Sequence, residues 1–218
     1  MYEEFHPFSR RKGDSHNAFY PEVESRLARS PSDLDSSQGF LILWGGSDIS
    51  PSLDSRPSNG AYQSKTRSPR DLKEESLFNK AVEIGLPIVG VCRGAQLGCA
   101  LSGGILIQHV DGHHHDHTIE TKEGDTLITS SLHHQMMYPW NIDHILYAWT
   151  VQLSSRYIGI TTEELRKIPV TQYGHIEPEI VWFPKTKTLA IQGHPEYMRC
   201  DHLFNIYIKN LIDKLCLH

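Results

Sequence analysis

Cys92 stands between two glycines in the run Gly90–Gln96, Gly-Val-Cys-Arg-Gly-Ala-Gln. The apolar, β-branched stretch 86–91 predicts a strand buried on both faces, so Cys92 falls on the turn at its carboxyl end. The Gly-x-Cys-x-Gly spacing has the form of a nucleophile elbow, whose glycines permit a tight turn that exposes the reactive atom. A helix beginning near Gly94 would point its free amides at the sulfur and favour the thiolate. The pattern predicts a cysteine nucleophile, and a structural cysteine in a buried turn is the alternative.

A cysteine nucleophile needs a general base, and the base needs a third group that fixes its tautomer and orientation. His194 and Glu196 supply these residue types within the run Gln192–Glu196. Pro195 disfavours a helical conformation at His194, and residues two apart in an extended chain point the same way. We therefore expect the Glu196 carboxylate to reach the imidazole. The preceding stretch, 188–192, predicts a strand that delivers His194 to the end of a sheet.

Attack on an acyl carbon generates an oxyanion, which needs preorganised hydrogen-bond donors. The apolar strand predicted for Gly39–Trp44 runs into the pair Gly45-Gly46, where backbone amides can approach a ligand without a clash from Cβ. The amides of Gly46 and of Arg93, the residue after the nucleophile, are the predicted oxyanion hole. A plain turn at the end of the strand is the alternative for Gly45-Gly46.

A histidine-rich run offers a different chemistry. Its members are His109, His113, His114, His115, Asp116 and His117. Imidazoles and a carboxylate can bind zinc, but these residues surround Gly112 in a predicted loop rather than lying at defined spacing on fixed elements. His133 and His134 are a second candidate pair. We predict no metal ion at either place and no cofactor.

The elements that position these residues alternate between apolar strands and helices, which predicts βαβ units around a mostly parallel sheet. Ser68 is the predicted cap of a helix that has Pro69 at its first position and ends at Gly85. The final helix is expected from about Met198. Its predicted core face carries Leu203, Phe204, Tyr207, Leu211 and Leu215.

Composition limits the number of domains, the classes of binding partner and the cellular location that the sequence predicts. A chain of 218 residues with no sign of a second core predicts a single domain over residues 1–218. The formal net charge of −5, with no basic run, argues against a nucleic-acid partner. No signal peptide is predicted in residues 1–15, and no apolar run has the length of a membrane span. Four cysteines without disulfide-like spacing fit a reducing cytoplasm, which is the predicted location.

Six motifs together carry a family resemblance. They are Gly45–Pro51, Arg70-Asp71 with Glu74, Pro87–Gln96, Gly103–His109, Leu132–Gln135 and Gln192–Glu196. On these motifs the chain resembles the class I glutamine amidotransferase-like superfamily. Within it, the chain is similar to the peptidase C26 branch of γ-glutamyl hydrolases and γ-glutamyl-GABA hydrolases. The resemblance implies a flavodoxin-like, three-layer αβα sandwich with a mostly parallel central sheet.

The resemblance also implies roles for individual residues. Cys92, His194 and Glu196 would be a catalytic triad. The residues implied beside a bound γ-glutamyl group are Gly45, Gln96, His133, His134 and Gln135. The implied activity is hydrolysis of γ-glutamyl amides through a thioester on Cys92. A glutaminase that delivers ammonia to a separate synthetase is one alternative, and an inactive binding or regulatory module is another.

The motifs lie in a core of residues 39–198. One segment before this core and one segment within it depart from the family pattern. Residues 1–38 hold no apolar strand where family members open with a βα unit, so the N-terminus is predicted to be atypical. Within it, Phe19, Val23 and Leu27 recur at helical spacing. Residues 150–173 form a predicted insert, in which Thr161–Arg166 indicates a short capped helix. We expect the insert to shape the substrate entrance.

Overall fold

Strands and helices alternate along the chain, as the sequence predicts. The structure, a computed structural model, describes residues 2–3, 26–37, 39–53 and 66–217. Its strands are β1 (Tyr2–Glu3), β2 (Arg26–Leu27), β3 (Leu41–Leu43), β4 (Ile88–Val91), β5 (Ile105–Ile107), β6 (His109–Val110), β7 (His117–Thr121), β8 (Thr126–Thr129), β9 (Met136–Tyr138), β10 (Ile145–Val151), β11 (Tyr157–Ile158), β12 (Val170–Thr171), β13 (Gly174–Phe183) and β14 (Thr188–Ile191). Its α-helices are α1 (Pro69–Glu83), α2 (Arg93–Leu101), α3 (Thr162–Lys167) and α4 (Leu203–Cys216).

One long sheet joins most of the strands in the order β2-β1-β3-β4-β14-β13-β10-β7-β8. The pairs from β2 to β14 are parallel. The pairs from β14 to β8 are antiparallel, and β12 pairs with β13 at the side. The predicted α/β class with a parallel central sheet is confirmed. The antiparallel extension was not predicted.

The central strands are buried on both faces, and neighbouring residues face different helices. Ile42 of β3 packs in one core cluster with Phe204 of α4. The next residue, Leu43, packs in another cluster with Leu77 of α1 and Ala95 of α2. Because side chains alternate along a strand, α4 covers one face of the sheet and α1 with α2 covers the other. In this three-layer arrangement the carboxyl ends of β3, β4 and β14 share one edge of the sheet.

The first long helix, α1, has the predicted boundaries. The Ser68 hydroxyl accepts a hydrogen bond from the amide of Asp71 at 3.1 Å. The Asp71 carboxylate accepts one from the amide of Ser68 at 2.8 Å, which completes a capping box. Pro69 occupies the first helical position, and Gly85, with φ +72°, follows the last turn. The start and stop signals of the sequence are therefore confirmed.

The short helix predicted in residues 150–173 is also present. The Thr161 hydroxyl accepts from the amide of Glu164 at 3.2 Å, and the Glu164 carboxylate accepts from the amide of Thr161 at 2.7 Å. The Tyr138 hydroxyl donates to the carbonyl of Glu164 at 2.8 Å. This hydrogen bond joins α3 to β9.

The final helix begins at Leu203 rather than near Met198, because Pro195–Tyr197 forms a separate 3₁₀ turn before it. Its buried residues are Phe204, Asn205, Ile208, Leu211, Ile212 and Cys216. Leu203 is 65% exposed, so its predicted place on the core face is wrong. Tyr207 and Leu215 pack against the core while partly exposed. Neither α4 nor any other helix in the described ranges has the length and apolar composition that crossing a bilayer requires.

The N-terminal segment adds two short strands to the sheet. β1 pairs in parallel with both β2 and β3. The sequence predicts no apolar strand in residues 1–38, and these two strands were missed because two residues carry too little periodicity to be recognised. Leu27, predicted on a helical stripe, belongs to β2. Phe19 and Val23 of that stripe lie outside the described residues.

Removing the Ser68 hydroxyl tests the cap of α1. We expect Ser68→Ala to lower the free energy of unfolding by about 1 kcal/mol, the usual loss for an N-cap. Urea unfolding followed by circular dichroism measures this change. Ser76→Ala, on the exposed side of the same helix, is the matched control and should stay within about 0.5 kcal/mol of the wild type. Equal losses in the two variants would contradict the assignment of the cap.

Candidate active site

Cys92 lies between β4 and α2 with a left-handed backbone, φ 50° and ψ −106°. A non-glycine residue in such a sparsely populated region costs about 1–3 kcal/mol and persists only where its surroundings hold it. The Cys92 amide donates to the carbonyl of Ile191 in β14 at 2.7 Å. The Cys92 carbonyl accepts from the amide of Gln96 in α2 at 3.0 Å. These bonds fix residue 92 at the amino end of α2, in the strand-to-helix turn that the sequence predicts.

Both flanking glycines are required by close backbone contacts. A Cβ on Gly90 would lie 2.4 Å from the carbonyl oxygen of Gly94. A Cβ on Gly94 would lie 2.0 Å from the carbonyl oxygen of Leu43 in β3. Because the obstructing atoms belong to the backbone, they cannot rotate away. The Gly-x-Cys-x-Gly spacing therefore lets α2 begin directly against β3.

His194 follows β14, the neighbour of β4 in the sheet. Its amide donates to the carbonyl of Ser130 at 3.0 Å, and its Nδ1 lies 2.9 Å from Glu196 Oε1. The predicted contact between imidazole and carboxylate is therefore present. The predicted extended conformation is wrong, because Pro195–Tyr197 is a 3₁₀ turn that Pro195 favours at its first position.

With Nδ1 engaged by Glu196, the other ring nitrogen of His194 is left for the Cys92 thiol. Nε2 is buried and has no nitrogen or oxygen partner within the described part of the chain. A Cβ on Gly45 would lie 3.1 Å from His194 Cε1 and 3.4 Å from Cys92 Cβ, so both side chains approach this glycine. Burial lowers the pKa of His194, but hydrogen bonds with Cys92 and Glu196 outweigh it and raise the pKa to about 10. The imidazole can therefore keep its proton beside the sulfur at neutral pH.

Tyr197 covers the imidazole of His194. The ring centroids are 4.6 Å apart and the ring planes differ by 11°. Burial raises the pKa of the Tyr197 hydroxyl, and the charges of Glu196 and Cys92 raise it further. The stacked ring limits how far the imidazole can tilt. This residue was missed in the sequence, where only its place directly after Glu196 could have indicated it.

The Gly45-Gly46 turn is held by Arg70 of α1. The guanidinium donates to the carbonyl of Trp44 at 2.9 Å and to that of Gly45 at 3.1 Å. With these carbonyls engaged, the peptide planes around Gly46 are fixed. The amide of Arg93 stands at the first position of α2, directly after Cys92. The two amides predicted to bind an oxyanion thus belong to rigid segments on either side of Cys92 in the sequence.

A buried ion network connects the same elements. The Arg93 guanidinium contacts Asp71 with Nη2 and Oδ1 at 2.6 Å, and it also contacts Glu74. Glu74 accepts a further bond from Arg70 Nε at 2.8 Å. Arg93, Asp71 and Glu74 are almost fully buried, and charges without water require such partners. No role was predicted for Asp71 or Glu74, although both stand in a motif that carried the family resemblance.

The residues expected beside a γ-glutamyl group make two sets of hydrogen bonds, one at the Gln135 carbonyl and one between His134 and Asp48. Gln96 Nε2 and His133 Nδ1 each donate to the backbone carbonyl of Gln135, both at 2.9 Å. His134 Nε2 lies 2.9 Å from Asp48 Oδ1, in the loop that follows Gly45-Gly46. His133, Gln96 and Gln135 are all buried. Asp48 was not predicted, although it belongs to the Gly45–Pro51 motif.

The histidine-rich run does not act as one cluster. His109 contacts His134 rather than the other histidines of the run, and the Nδ1 atoms of the two rings are 3.2 Å apart. His113 and His117 turn inward against buried glutamates of β13. The exposed members are His114, His115 and Asp116. The six residues expected as alternative metal ligands therefore do not come together, whereas two of them meet acidic side chains from another strand.

Two relatives match short parts of the chain. It is 44% identical to protein NtpR of Enterococcus hirae over 68 residues, which are 31% of this chain and 28% of NtpR. It is 34% identical to a candidate glutamine amidotransferase of Mycobacterium tuberculosis over 70 residues, which are 32% of this chain and 22% of that protein. Both matches thus span less than a third of the relatives' length.

The fold and the family model extend the comparison over most of the chain. The structure is similar to that of a candidate GMP synthase subunit from Thermoplasma acidophilum, with a TM-score of 0.61 and 12% identity. The similarity covers 99% of this chain and 92% of the other, and at this identity it concerns the fold. The peptidase C26 model matches residues 32–196, a range that contains the Gly45-Gly46 turn, Cys92, His194 and Glu196. The chain therefore belongs to the peptidase C26 family.

Proposed function

We propose that this protein hydrolyses γ-glutamyl amides, with Cys92 as nucleophile, His194 as acid and base, and Glu196 as the group that orients His194. One observation carries the proposal. His194 Nδ1 is held by Glu196 at 2.9 Å, and its buried Nε2 is left for a cysteine whose backbone is held in a strained turn. Membership of the peptidase C26 family supports cysteine-dependent cleavage of an amide.

In the first half of the reaction the proton of the Cys92 thiol rests on His194 Nε2, and the thiolate sulfur attacks the amide carbonyl carbon. The electron pair of the carbonyl moves to its oxygen, and the amides of Gly46 and Arg93 donate to the resulting oxyanion. When the tetrahedral intermediate collapses, the carbon–nitrogen bond breaks. The leaving nitrogen takes the proton from His194, and the γ-glutamyl group stays on Cys92 as a thioester.

In the second half water replaces the departed amine. His194 takes a proton from the water as its oxygen attacks the thioester carbonyl, and the same two amides hold the second oxyanion. Collapse then breaks the carbon–sulfur bond. Cys92 returns as a thiolate beside protonated His194, which is the state in which the reaction began. Hydrolysis of an unsubstituted γ-glutamyl amide gives glutamate as the acyl product, and the released amine depends on the substrate.

The proposed pocket for the γ-glutamyl group lies between α2 and the loop after Gly46. Its proposed lining is Gly45, Gln96, His133, His134 and Gln135. The hydrogen bond from Gln96 to the Gln135 carbonyl and that between His134 and Asp48 support this arrangement, because they hold polar groups near the amino end of α2. Such fixed polar groups orient a small polar ligand.

A glutaminase that delivers ammonia to a separate synthetase is the second candidate. The observation that favours it is the fold similarity to a protein described as part of a GMP synthase, which extends over 92% of that chain. The two candidates share the chemistry at Cys92 and differ in the leaving amine. Glutamate release from glutamine alone, compared with release from larger γ-glutamyl amides, distinguishes them.

The activity itself can be tested with three substrates: glutamine, γ-glutamyl-GABA and a folyl-polyglutamate. We expect the wild type to release glutamate from at least one of them, and Cys92→Ala to reduce kcat at least about 10³-fold, because loss of a nucleophile removes the covalent route. An enzymatic glutamate assay gives the rates. Cys200→Ala, which removes an exposed cysteine, should retain wild-type rates. Release that persists in Cys92→Ala would contradict the mechanism, and no release from any substrate would favour an inactive binding module or a glutaminase that needs its synthetase.

The reactivity of Cys92 gives a test that needs no substrate. At pH 7 we expect iodoacetamide to alkylate Cys92 faster than the exposed Cys200, although Cys92 is buried, because protonated His194 favours the thiolate. Burial raises the pKa of the Cys216 thiol to about 12, so Cys216 should react slowest of the three. Peptide mass spectrometry of timed samples measures all three rates in one chain. Cys92 reacting no faster than Cys200 would refute an activated thiolate.

Arg70 is proposed as a positioning residue for the oxyanion-binding turn. Arg70→Gln removes the donors to the Trp44 and Gly45 carbonyls, so we expect kcat to fall about tenfold or more with a smaller change in KM, as when transition-state contacts weaken. Arg67→Gln, at a neighbouring guanidinium that pairs with Glu75 instead, is the matched control. A rise in KM alone in Arg70→Gln would assign Arg70 to substrate binding.

A further inference from the structure

Three buried side chains converge beside the candidate active site. They are His113, His133 and Glu179, and they come from three separate parts of the sequence. One nitrogen or oxygen from each lies within 4.8 Å of those of the other two. The imidazole rings of His113 and His133 have centroids 4.6 Å apart with planes tilted by 32°. Such a set of donors matches the nitrogen and oxygen ligands of first-row divalent metals.

One polar atom of each of these side chains already has a hydrogen-bond partner. The second polar atom of each is therefore the one that can bind a metal ion. His113 Nε2 donates to Glu177 Oε2 at 2.9 Å, and His133 Nδ1 donates to the carbonyl of Gln135 at 2.9 Å. Glu179 Oε1 accepts from His117 Nε2 at 2.8 Å. The remaining atoms, His113 Nδ1, His133 Nε2 and Glu179 Oε2, are buried without a hydrogen-bond partner in the described ranges.

This pattern is the one that metal-binding histidines show. Their second nitrogen is held by a carboxylate or a carbonyl, which fixes the tautomer and the orientation of the ring. Here a carboxylate holds His113 and a carbonyl holds His133, so the lone pairs of Nδ1 and Nε2 face inward. Three inward acceptors packed together are unfavourable unless a cation or a proton lies between them.

Two glutamates of β13 border the cluster. His113 Nε2 contacts Glu177 and His117 Nε2 contacts Glu179, and both glutamates are almost fully buried. Buried carboxyl groups are costly unless they are paired or bind a metal ion, so this lining suits a cation.

We propose that His113 Nδ1, His133 Nε2 and Glu179 Oε2 form a buried site for one divalent metal ion of the zinc class, with a water molecule as a fourth ligand. Zinc–nitrogen bonds of about 2.0–2.1 Å require the three atoms to draw together from their present separations. A proton is the competing occupant. His113 Nδ1 lies 3.5 Å from Glu179 Oε1. A proton between these two atoms would satisfy only that contact, whereas a metal ion could bind all three atoms of the proposed site.

The site stabilises the strand that neighbours the proposed base. The carbonyl of Glu179 accepts from the amide of Gln192 at 2.8 Å, two residues before His194. His133 and Gln135 connect the site to Gln96 of α2. Because its ligands are buried, a metal ion here would join β13 to the loops that carry His113 and His133. Its role is therefore structural.

Metal binding can be measured directly on tag-free protein. The wild type is stripped with a chelator, dialysed, and titrated with Zn²⁺ against a chromophoric competitor. We expect about one equivalent to bind, with a higher melting temperature, because a ligand that binds only the folded state stabilises it. His113→Gln, His133→Gln and Glu179→Gln should each raise the Kd at least about tenfold, and Glu177→Gln about 10- to 100-fold. His114→Gln, next to His113 but exposed, should leave the Kd unchanged.

Cobalt substitution of the wild type keeps the proposal testable if the variants do not fold. Co²⁺ at this site should give the d–d absorption of a four-coordinate ion without a thiolate charge-transfer band, since the three protein ligands are nitrogen and oxygen. Binding of less than about a tenth of an equivalent by folded wild type would assign the cluster to a proton. A thiolate band, or an equal loss of affinity in His114→Gln, would place the metal elsewhere and overturn the proposal.

Discussion

The left-handed backbone of Cys92 depends on the direct contact of α2 with β3, and the geometry of the site follows from that contact. Gly94 lies so close to the carbonyl of Leu43 that any side chain there would collide with it. The contact leaves a single residue, Cys92, between the end of β4 and the start of α2, and turns its side chain toward the sheet edge. The adjacent strand β14 then brings His194 to the same edge, because parallel strands end together.

The buried charges explain how this edge remains fixed. Arg93, next to the nucleophile, shares Glu74 with Arg70, and Arg70 holds the turn that contains Gly46. One carboxylate of α1 thus connects both segments that are proposed to bind the oxyanion. A buried ion pair is weak evidence for stability, but it specifies geometry strongly because an unpaired partner would be costly. We infer that the network sets the distance between the two amides.

The features that could be predicted from the sequence were those with local signals. The caps at Ser68 and Thr161 require only a hydroxyl and an acidic residue at set spacing. The Cys92 turn requires only glycines at set spacing. Features that depend on tertiary contacts were missed, among them the two-residue strand β1 and the buried carboxylate of Glu179. A glutamate in a strand is usually exposed, and only the distant histidines that meet it reveal its burial.

Acid quenching during turnover measures the thioester on Cys92 most directly. The protein is mixed with excess γ-glutamyl substrate, stopped in acid within one turnover, and digested for peptide mass spectrometry. The proposed chemistry predicts that the Cys92 peptide gains the mass of one glutamyl group, which hydroxylamine removes, and that His194→Asn forms little adduct. Glutamate release with no adduct on Cys92, or with the adduct on another residue, would contradict the proposal that Cys92 is the nucleophile.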